Sequence, residues 1–313
     1  MSKYNHSVTE EEAIDNLTIN QILRRNYRFS ARFKTKMKFQ NLVDLNGEPT
    51  PGYIRPKAGD IIGVRLPKET SNFPAEDIPI TPLYEDDDLL VIDKQPGITV
   101  HPTKGHPNHT LANGIMKYME DTGQSFKIRF ANRLDMDTSG IVICAKNANT
   151  QDSISRQMRS SSVVKKYKAV VFGNVKPDAF TIDLPIGKPD DDAVQRAVLA
   201  EGGKDAVTDV QVLERYGDYT LVELTIHTGR THQIRVHLSH IGHPIVGDAL
   251  YGGESDRISR QALHSCYIRF SHPMTGKTLE IKSNLPDDIR QCIDSIVRDT
   301  GLRNERGEVK AAR

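Results

Sequence analysis

The most constraining feature of this sequence is a polar loop that runs directly into a short apolar segment. Residues 141–145 are all apolar, which is typical of a buried strand. The loop before them carries Arg133, Asp135 and a Thr-Ser-Gly turn at residues 138–140. The sequence thus presents a carboxylate on a short connection just before a strand. Such a carboxylate is either a reactive group or a cap for the backbone of a solvated turn.

The loop is one of five segments that combine glycine, aromatic and charged residues. They are residues 83–102, 132–146, 165–167, 228–235 and 242–248. Their motifs include Arg-Leu-Asp at 133–135, Lys-x-Tyr at 165–167 and Thr-Gly-Arg-Thr-His-Gln at 228–233. In this order they resemble the motifs of the RluA-type pseudouridine synthases. The chain departs from that family at Asn132, where histidine is usual. This residue flanks the nucleophile position, so the departure concerns positioning more than the reaction.

The resemblance implies a nucleophile and an arginine that serves it. Asp135 matches the family's catalytic aspartate, which forms a covalent intermediate and divides a hard substitution into easier steps. An arginine within about 4–6 Å keeps such a carboxylate ionised and can hold it with two hydrogen bonds. Arg230 matches that partner, with Arg235 as the second candidate and a surface ion pair as the structural alternative.

Three further side chains receive roles from the same resemblance. Tyr167 matches an aromatic residue that stacks on an unstacked base and takes part in proton transfer, although its strand position also suits a core aromatic. Arg133 is expected to bind RNA, because a base that leaves its stack must be replaced or have its phosphates held. Lys165, two residues before the tyrosine, is also predicted to bind RNA. The isomerisation needs neither redox chemistry nor energy input, so no cofactor or metal is implied.

Three other interpretations remain open from the residues. Residues 135–139 imitate the Asp-x-Asp-x-Thr motif of haloacid-dehalogenase phosphotransferases, but the apolar run follows the motif instead of preceding it. His227, His232 and His237 could bind a metal, although their five-residue spacing matches no usual zinc pattern. A decayed, non-catalytic RNA-binding protein is the third possibility.

The N-terminal part of the chain has a strongly uneven charge distribution. Residues 24–38 contain seven basic side chains and no acidic one. They are Arg24, Arg25, Arg28, Arg32, Lys34, Lys36 and Lys38. Thr18 and Ser30 can cap two helices that carry these residues, and Asn46-Gly47 predicts a hairpin turn. We expect these basic residues to bind RNA phosphates, with a solvated helix face as the alternative. The segment resembles the small αL domain of ribosomal protein S-four.

The pattern predicts an α+β protein with two domains. Strand and helix periods are mixed without a regular βαβ order, so we expect a mixed, largely antiparallel sheet flanked by helices. The resemblance implies that this is the pseudouridine synthase fold, preceded by a small α/β RNA-binding domain. The predicted segments are a disordered N-terminus (1–16), an αL-like domain (17–68), a linker (69–82), the catalytic domain (83–299) and a C-terminal tail (300–313).

Bulk properties limit the location and the partners. The longest apolar runs are far shorter than the roughly 20 residues that cross a bilayer, and the polar N-terminus has no signal-peptide core. We therefore expect a cytoplasmic protein with no membrane contact and with three reduced, packed cysteines. The net charge of +1 does not by itself indicate a nucleic-acid partner. The resemblance implies structured RNA, either large-subunit ribosomal RNA or transfer RNA, bound by a monomer.

Overall fold

A computed structural model describes residues 3–67, 69–160, 162–190 and 192–301. The N-terminal module, residues 3–67, contains four strands and three helices among these residues. They are β1 (Tyr4–Ser7), α1 (Glu10–Ile14), α2 (Ile19–Asn26), α3 (Ala31–Phe39), β2 (Val43–Leu45), β3 (Glu48–Pro49) and β4 (Ile61–Val64). The strands form an antiparallel sheet in the order β1-β4-β2-β3. Apolar residues of α2 and α3, including Ile22, Leu23 and Phe33, bury their side chains in the core of the module.

The start of the chain is ordered, so the prediction of a disordered segment 1–16 is wrong for the residues that the structure describes. β1 pairs with β4 over four residues. Thr9 caps α1 by accepting a hydrogen bond from the Glu12 amide, and the Glu12 carboxylate accepts one from the Thr9 amide. Tyr4 is buried against Tyr27 and Phe29. The polar composition misled the prediction because short elements gain stability from such packing.

The N-terminal module is docked on the rest of the protein. The Tyr4 hydroxyl donates a hydrogen bond to the carboxylate of Asp88. The Ser30 amide donates to the side-chain oxygen of Asn149 at 2.7 Å, and Met274 lies within the hydrophobic core of the module. The connecting residues 69–81 contain no helix or strand, yet they lie along the larger domain, where Glu69 pairs with Arg129.

The larger domain is built on one mixed sheet. Its elements are β5 (Pro82–Glu85), β6 (Leu89–Lys94), α4 (Leu111–Thr122), β7 (Arg129–Phe130), β8 (Ser139–Ala145), α5 (Ala148–Arg159), β9 (Val164–Phe172), β10 (Ala179–Asp183), β11 (Ile186–Gly187), β12 (Ala197–Val198), β13 (Val207–Tyr216), β14 (Tyr219–Ile226), α6 (Gln233–His240), a 3-10 helix (Ala249–Tyr251), β15 (Leu263–Ser271), β16 (Thr278–Lys282) and α7 (Asp287–Thr300).

The main sheet has the strand order β10-β13-β14-β9-β15-β8-β6-β5, with β16 paired to β15 and β7 paired to β8. Its strand pairs are antiparallel except β15 with β8. The predicted α+β class with a mixed, largely antiparallel sheet is therefore confirmed. Gly140 makes the parallel contact possible: its φ is +110°, and a Cβ there would lie 2.2 Å from the Ser265 carbonyl oxygen.

The remaining predictions about the whole chain have these outcomes. Cys144, Cys266 and Cys292 are free and buried. No helix in the described part of the chain is long and apolar enough to span a membrane. Of the predicted tail, residues 302–313 lie outside the described residues; α7 itself ends at Thr300, next to Gly301 at φ +64°.

Candidate active site

The Asp135 loop lies directly before β8. Hydrogen bonds between side chains and backbone groups hold the loop at both of its ends. The side-chain amide of Asn132 donates to the Ile141 carbonyl at 3.0 Å and accepts from the Ile143 amide at 2.8 Å. The Asn132 side chain thus pairs with β8 as a strand backbone does. At the other end, Arg260 donates to the Asp137 carbonyl at 2.9 Å while both oxygens of Asp288 hold its guanidinium. The residue that departs from the family motif therefore positions the loop.

Lys94, at the end of β6, supports the same loop from beneath. Its side chain is completely buried and donates to the carbonyls of Gln95, Ile98 and Met136 at 2.8–3.0 Å. Burial lowers the pKa of Lys94 to about 7, with the charge of Asp137 acting in the opposite direction. The sequence reasoning missed this residue, because a lysine at a strand end normally indicates a solvated position.

Asp135 receives its positive partner from α6. The Arg235 Nη1 lies 3.3 Å from the Asp135 Oδ2, and Arg235 also holds Asp248 with two hydrogen bonds of 2.7 and 2.8 Å. Burial disfavours the charge of Arg235, but the hydrogen bond and charge of Asp248 outweigh it, so its pKa is raised. The predicted arginine partner, Arg230, is wrong: its Nε donates to the Asp205 carbonyl, and its side chain is exposed.

The start of α6 explains why Arg235 is buried beside Asp135 while Arg230 is exposed. His232 adopts a left-handed conformation with φ 57°, and the helix starts at the next residue, Gln233. The Gln233 side-chain oxygen accepts from the Arg230 amide at 3.0 Å and folds the preceding loop back. Arg235 then lies in the first turn of the helix, on its buried side.

Tyr251 links two of the groups around the carboxylate. The His232 Nε2 lies 3.9 Å from Asp135, and the His232 Nδ1 is hydrogen-bonded to the Tyr251 hydroxyl at 2.9 Å. The Tyr251 ring also lies under the Arg235 guanidinium, 5.0 Å from ring centre to Cζ. Burial lowers the pKa of His232. The 3-10 turn that carries Asp248 and Tyr251 thus fixes both neighbours of Asp135.

Asp135 borders a cleft of about 400 Å³, a size typical of small-molecule sites. Tyr167 and Lys165, both on β9, line it together with Arg133 and Arg230. Tyr167 is buried, which raises its pKa to about 12 and keeps its hydroxyl protonated. Lys165 is half-buried, and desolvation lowers its pKa. The structure therefore brings together all five predicted residues of the catalytic domain.

Arg133 lies on the rim between two clefts. It is exposed and lines the first cleft and a second one of about 550 Å³ on the other side of the Asp135 loop. His101 and Thr103 are among the residues of this second cleft. No hydrogen bond or ion pair joins the Arg133 side chain to another described residue, so the guanidinium is available to a ligand.

The basic residues of α2 and α3 lie far along the chain from this site, and most are exposed. Arg25 pairs with Glu11 at 3.1 Å and with Asp15 at 3.7 Å, so acidic residues of the first helix neutralise part of the stretch. Lys36 is half-buried. The other members are exposed: Arg24, Arg25, Arg28, which lies between the two helices, Arg32, Lys34 and Lys38.

The three histidines of the metal interpretation have separate partners. His227 pairs with Asp209, and His237 is held by Thr208 and the Leu184 carbonyl. Within the described ranges, the one group with metal-ligand spacing is Asp86, Asp88 and His272, which includes none of them. The phosphotransferase interpretation also fails, because its motif should follow a hydrophobic strand, whereas the strand before the Asp135 loop, β7, has only two residues and the long apolar strand β8 comes after the loop.

Comparison with known proteins decides between the interpretations. Residues 88–240 match the family model described as RNA pseudouridylate synthase. A Bacillus subtilis protein named "Uncharacterized RNA pseudouridine synthase YjbO" is 40% identical over 84% of this chain and 94% of its own length. The chain belongs to the RNA pseudouridylate synthase family. It is therefore an isomerase that converts uridine to pseudouridine in RNA, as the motifs implied.

Two further comparisons agree with this family. The "Ribosomal large subunit pseudouridine synthase D" of Vibrio vulnificus is 34% identical over 79% of this chain and 81% of its own length. The solved structure of "Human RNA Pseudouridylate Synthase Domain Containing 1" superposes with a TM-score of 0.58 at 28% identity, over 74% of this chain and 98% of that one. The larger domain thus has the fold of a solved pseudouridylate synthase.

Proposed function

We propose that this isomerase modifies uridines in structured large-subunit ribosomal RNA. Several relatives, from Vibrio, Haemophilus and Pseudomonas, are named for large-subunit ribosomal RNA and are 34–37% identical to this chain. The docked N-terminal module adds an exposed basic surface on α2 and α3, which suits an RNA with folded phosphate backbone around the target. Transfer RNA is the second candidate, because the cleft itself recognises one nucleotide and not its source.

The observation that carries the chemistry is the Arg235 bridge between Asp135 and Asp248. A carboxylate nucleophile must be aimed at its target, and Arg235 orients Asp135 because Asp248 prevents the arginine from turning away. In the proposed sequence, Asp135 forms a bond with the nucleotide while the bond from ribose to the base nitrogen breaks. The base turns in the cleft and bonds to the ribose through carbon 5. As that bond forms, the bond from Asp135 to the nucleotide breaks and the carboxylate is released unchanged. Carbon 5 then loses its proton and the ring nitrogen that left the ribose gains one, so the product is an isomer of the uridine.

Tyr167 and Lys165 are proposed to hold the base and its charge. The Tyr167 ring lies in the cleft wall, where it can stack on an unstacked uracil. Since its pKa is about 12, the hydroxyl acts as a hydrogen-bond partner and proton relay and not as a phenolate. Lys165 presents a half-buried ammonium to the same cleft, where negative charge accumulates on the detached base.

Arg133 and Arg230 are proposed to bind the RNA around the flipped nucleotide. Both side chains are exposed at the edge of the cleft. A phosphate, or the base left unpaired when the target nucleotide leaves its stack, can therefore reach them. The exposed basic residues of α2 and α3 are proposed to contact more distant phosphates. A monomeric, cytoplasmic enzyme remains our expectation.

Mapping tests this proposal directly. Pseudouridines would be located in all stable RNAs from cells with and without the gene. Loss of one or more large-subunit sites, restored by the wild-type gene but not by Asp135→Asn, is the expected result. Loss confined to transfer RNA would replace the proposed substrate by the second candidate, whereas an unchanged map would contradict both.

A further inference from the structure

A third cleft, the interdomain groove, lies beside the active-site cleft and has a volume of about 660 Å³. Its wall includes the C-terminal end of α5 and residues of both domains. The residues that matter here are Arg28, Arg156, Arg159, Ser160, Ser162 and His272. Arg159 also lines the active-site cleft, so this side chain borders both clefts. The groove therefore extends from the edge of the active-site cleft to Arg28 of the N-terminal module.

The groove is positively charged. No carboxylate is among the described residues that line it. Arg156 pairs with Asp152 on the same helix at 3.4 Å, and His272 pairs with Asp86 at 2.8 Å, so both have a local counter-charge. Arg28 and Arg159 are exposed, and neither forms an ion pair with another described residue. These two arginines, one from each domain, carry the uncompensated charge.

The walls of the groove are fixed relative to one another. Gln157 donates to the Ser271 carbonyl at 2.8 Å and accepts from the Ser271 amide at 2.9 Å, which ties the end of α5 to β15. The Arg28 guanidinium packs on Gly276, where a Cβ would lie 3.0 Å from its Cζ. The absence of a side chain at Gly276 thus lets Arg28 lie against the larger domain. Two exposed arginines along one groove, one from each domain, suit a ligand with repeated negative charges.

We infer that the interdomain groove binds the phosphodiester backbone of the RNA strand that flanks the target uridine. Arg159 contacts the phosphate nearest to the flipped nucleotide, and Arg28 contacts one farther along the same strand. This inference rests on the proposed function, because it requires RNA in the active-site cleft. It assigns the docked position of the N-terminal module a role: the module supplies one wall of the path that the strand follows.

Salt dependence of RNA binding tests the groove. Arg28→Gln and Arg159→Gln are each expected to lower the affinity for a large-subunit RNA hairpin that contains the target uridine by roughly threefold to tenfold. Each should also flatten the slope of log affinity against log salt by about 0.7 to 0.9, the contribution of one phosphate. Arg28→Lys keeps the charge and should retain the slope. Arg298→Gln removes an equally exposed arginine from α7, outside the groove, and serves as the matched control.

Shortening the RNA tests the order of the contacts. As the flanking strand is trimmed one nucleotide at a time, the effect of Arg28→Gln on affinity should disappear before that of Arg159→Gln. Unchanged slopes in both variants, or slopes that change equally in Arg298→Gln, would overturn the inference. Pseudouridine formation by the wild type is measured separately on the same RNA. If it is absent, the proposed substrate fails while the salt slopes still decide whether the groove binds RNA.

Discussion

Asp135 and Arg235 lie 100 residues apart in the chain, yet the Arg235 Nη1 is 3.3 Å from the Asp135 Oδ2. The arginine is buried and is held in that position by two hydrogen bonds to Asp248, which is itself almost completely buried. A charge taken out of water is stabilised only while its partners remain in place. The orientation of Asp135, the proposed nucleophile, therefore depends on a second carboxylate, that of Asp248.

Asp248→Asn is expected to impair catalysis without altering the nucleophile. The neutral amide of the introduced asparagine cannot accept two charge-assisted hydrogen bonds from the Arg235 guanidinium, so the guanidinium loses its fixed orientation. A displacement of about 1 Å at a reacting group can cost on the order of 100-fold in rate, and we expect kcat to fall by that order. Removing one partner of a buried pair should also lower the free energy of unfolding by on the order of 3 kcal/mol. Single-turnover kinetics and chemical denaturation measure the two effects.

An exposed arginine–aspartate pair provides the control. Asp178 pairs with Arg215 at 2.6 Å and is largely exposed, so Asp178→Asn should cost less than about 1 kcal/mol and leave kcat unchanged. If Asp248→Asn behaves like this control, the Arg235 bridge does not orient Asp135.

Lysine substitutions at the two candidate arginines separate their roles. Arg235→Lys keeps one charge but loses the fork, so kcat should fall by at least about tenfold. Arg230→Lys retains an exposed cation at the edge of the cleft, so we expect mainly a raised KM with a smaller loss of kcat. Steady-state kinetics on one RNA measure both variants. The reverse pattern would restore Arg230 as the partner of Asp135.

The buried Lys94 should make the free energy of unfolding depend on pH. Its pKa is about 7 in the folded protein against 10.5 for the ordinary side chain, because burial disfavours the charged form. Between these values the unfolded chain binds more protons than the folded one, so this lysine makes the protein more stable as pH rises. The gain should saturate above the unfolded pKa and be absent below about pH 6.

Denaturation of wild type and Lys94→Met at pH 6.5, 8 and 9.5 measures this dependence. The variant loses three hydrogen bonds to carbonyls and should be less stable throughout. The gap between the two proteins should widen with pH, by at most about 1.4 kcal/mol per pH unit. The exposed Lys176 offers a control, since Lys176→Met should give a gap that does not vary with pH. A constant gap for Lys94→Met would mean that Lys94 remains charged in the folded protein.

Chelation tests the prediction that no metal takes part in the reaction. Isomerisation by a carboxylate needs no Lewis acid, so activity should survive exhaustive EDTA treatment once the RNA has folded. RNA structure is followed by chemical probing in the same samples, because magnesium also stabilises RNA. Activity lost with unchanged RNA structure, and restored only by zinc or magnesium, would show that a metal is required.

The sequence predicted the site residues better than their partners. The motifs placed Asp135, Tyr167 and Lys165 in one cleft, because each belongs to a strand or to a loop at a strand end. They favoured Arg230 over Arg235 as the partner of Asp135, and this choice was wrong because it depends on the left-handed conformation of His232 and on the hydrogen bond between Gln233 and the loop. Both are properties of the folded chain.

Other differences arose where tertiary contacts override local composition. Residues 24–38 contain no acid, but Glu11 and Asp15 approach Arg25 in space. The strand β13 was not predicted, and a bulge between Val212 and Glu214 explains this because it shifts the alternation of buried residues. The strands with an unbroken pattern, such as β8, β9 and β14, were predicted to within about two residues.

Substitution of Asp135 tests the central claim most directly. Asp135→Asn keeps the shape of the side chain while removing its charge, so it should form no pseudouridine and still bind RNA. Asp137→Asn changes the neighbouring acidic residue. Arg260 binds the backbone carbonyl of Asp137 and not its side chain, so the Asp137→Asn enzyme should keep most of its activity. Pseudouridine formed by pure, folded enzyme is measured in a single turnover. No product from Asp135→Asn is the predicted result, and measurable turnover by that variant would contradict its role as the nucleophile.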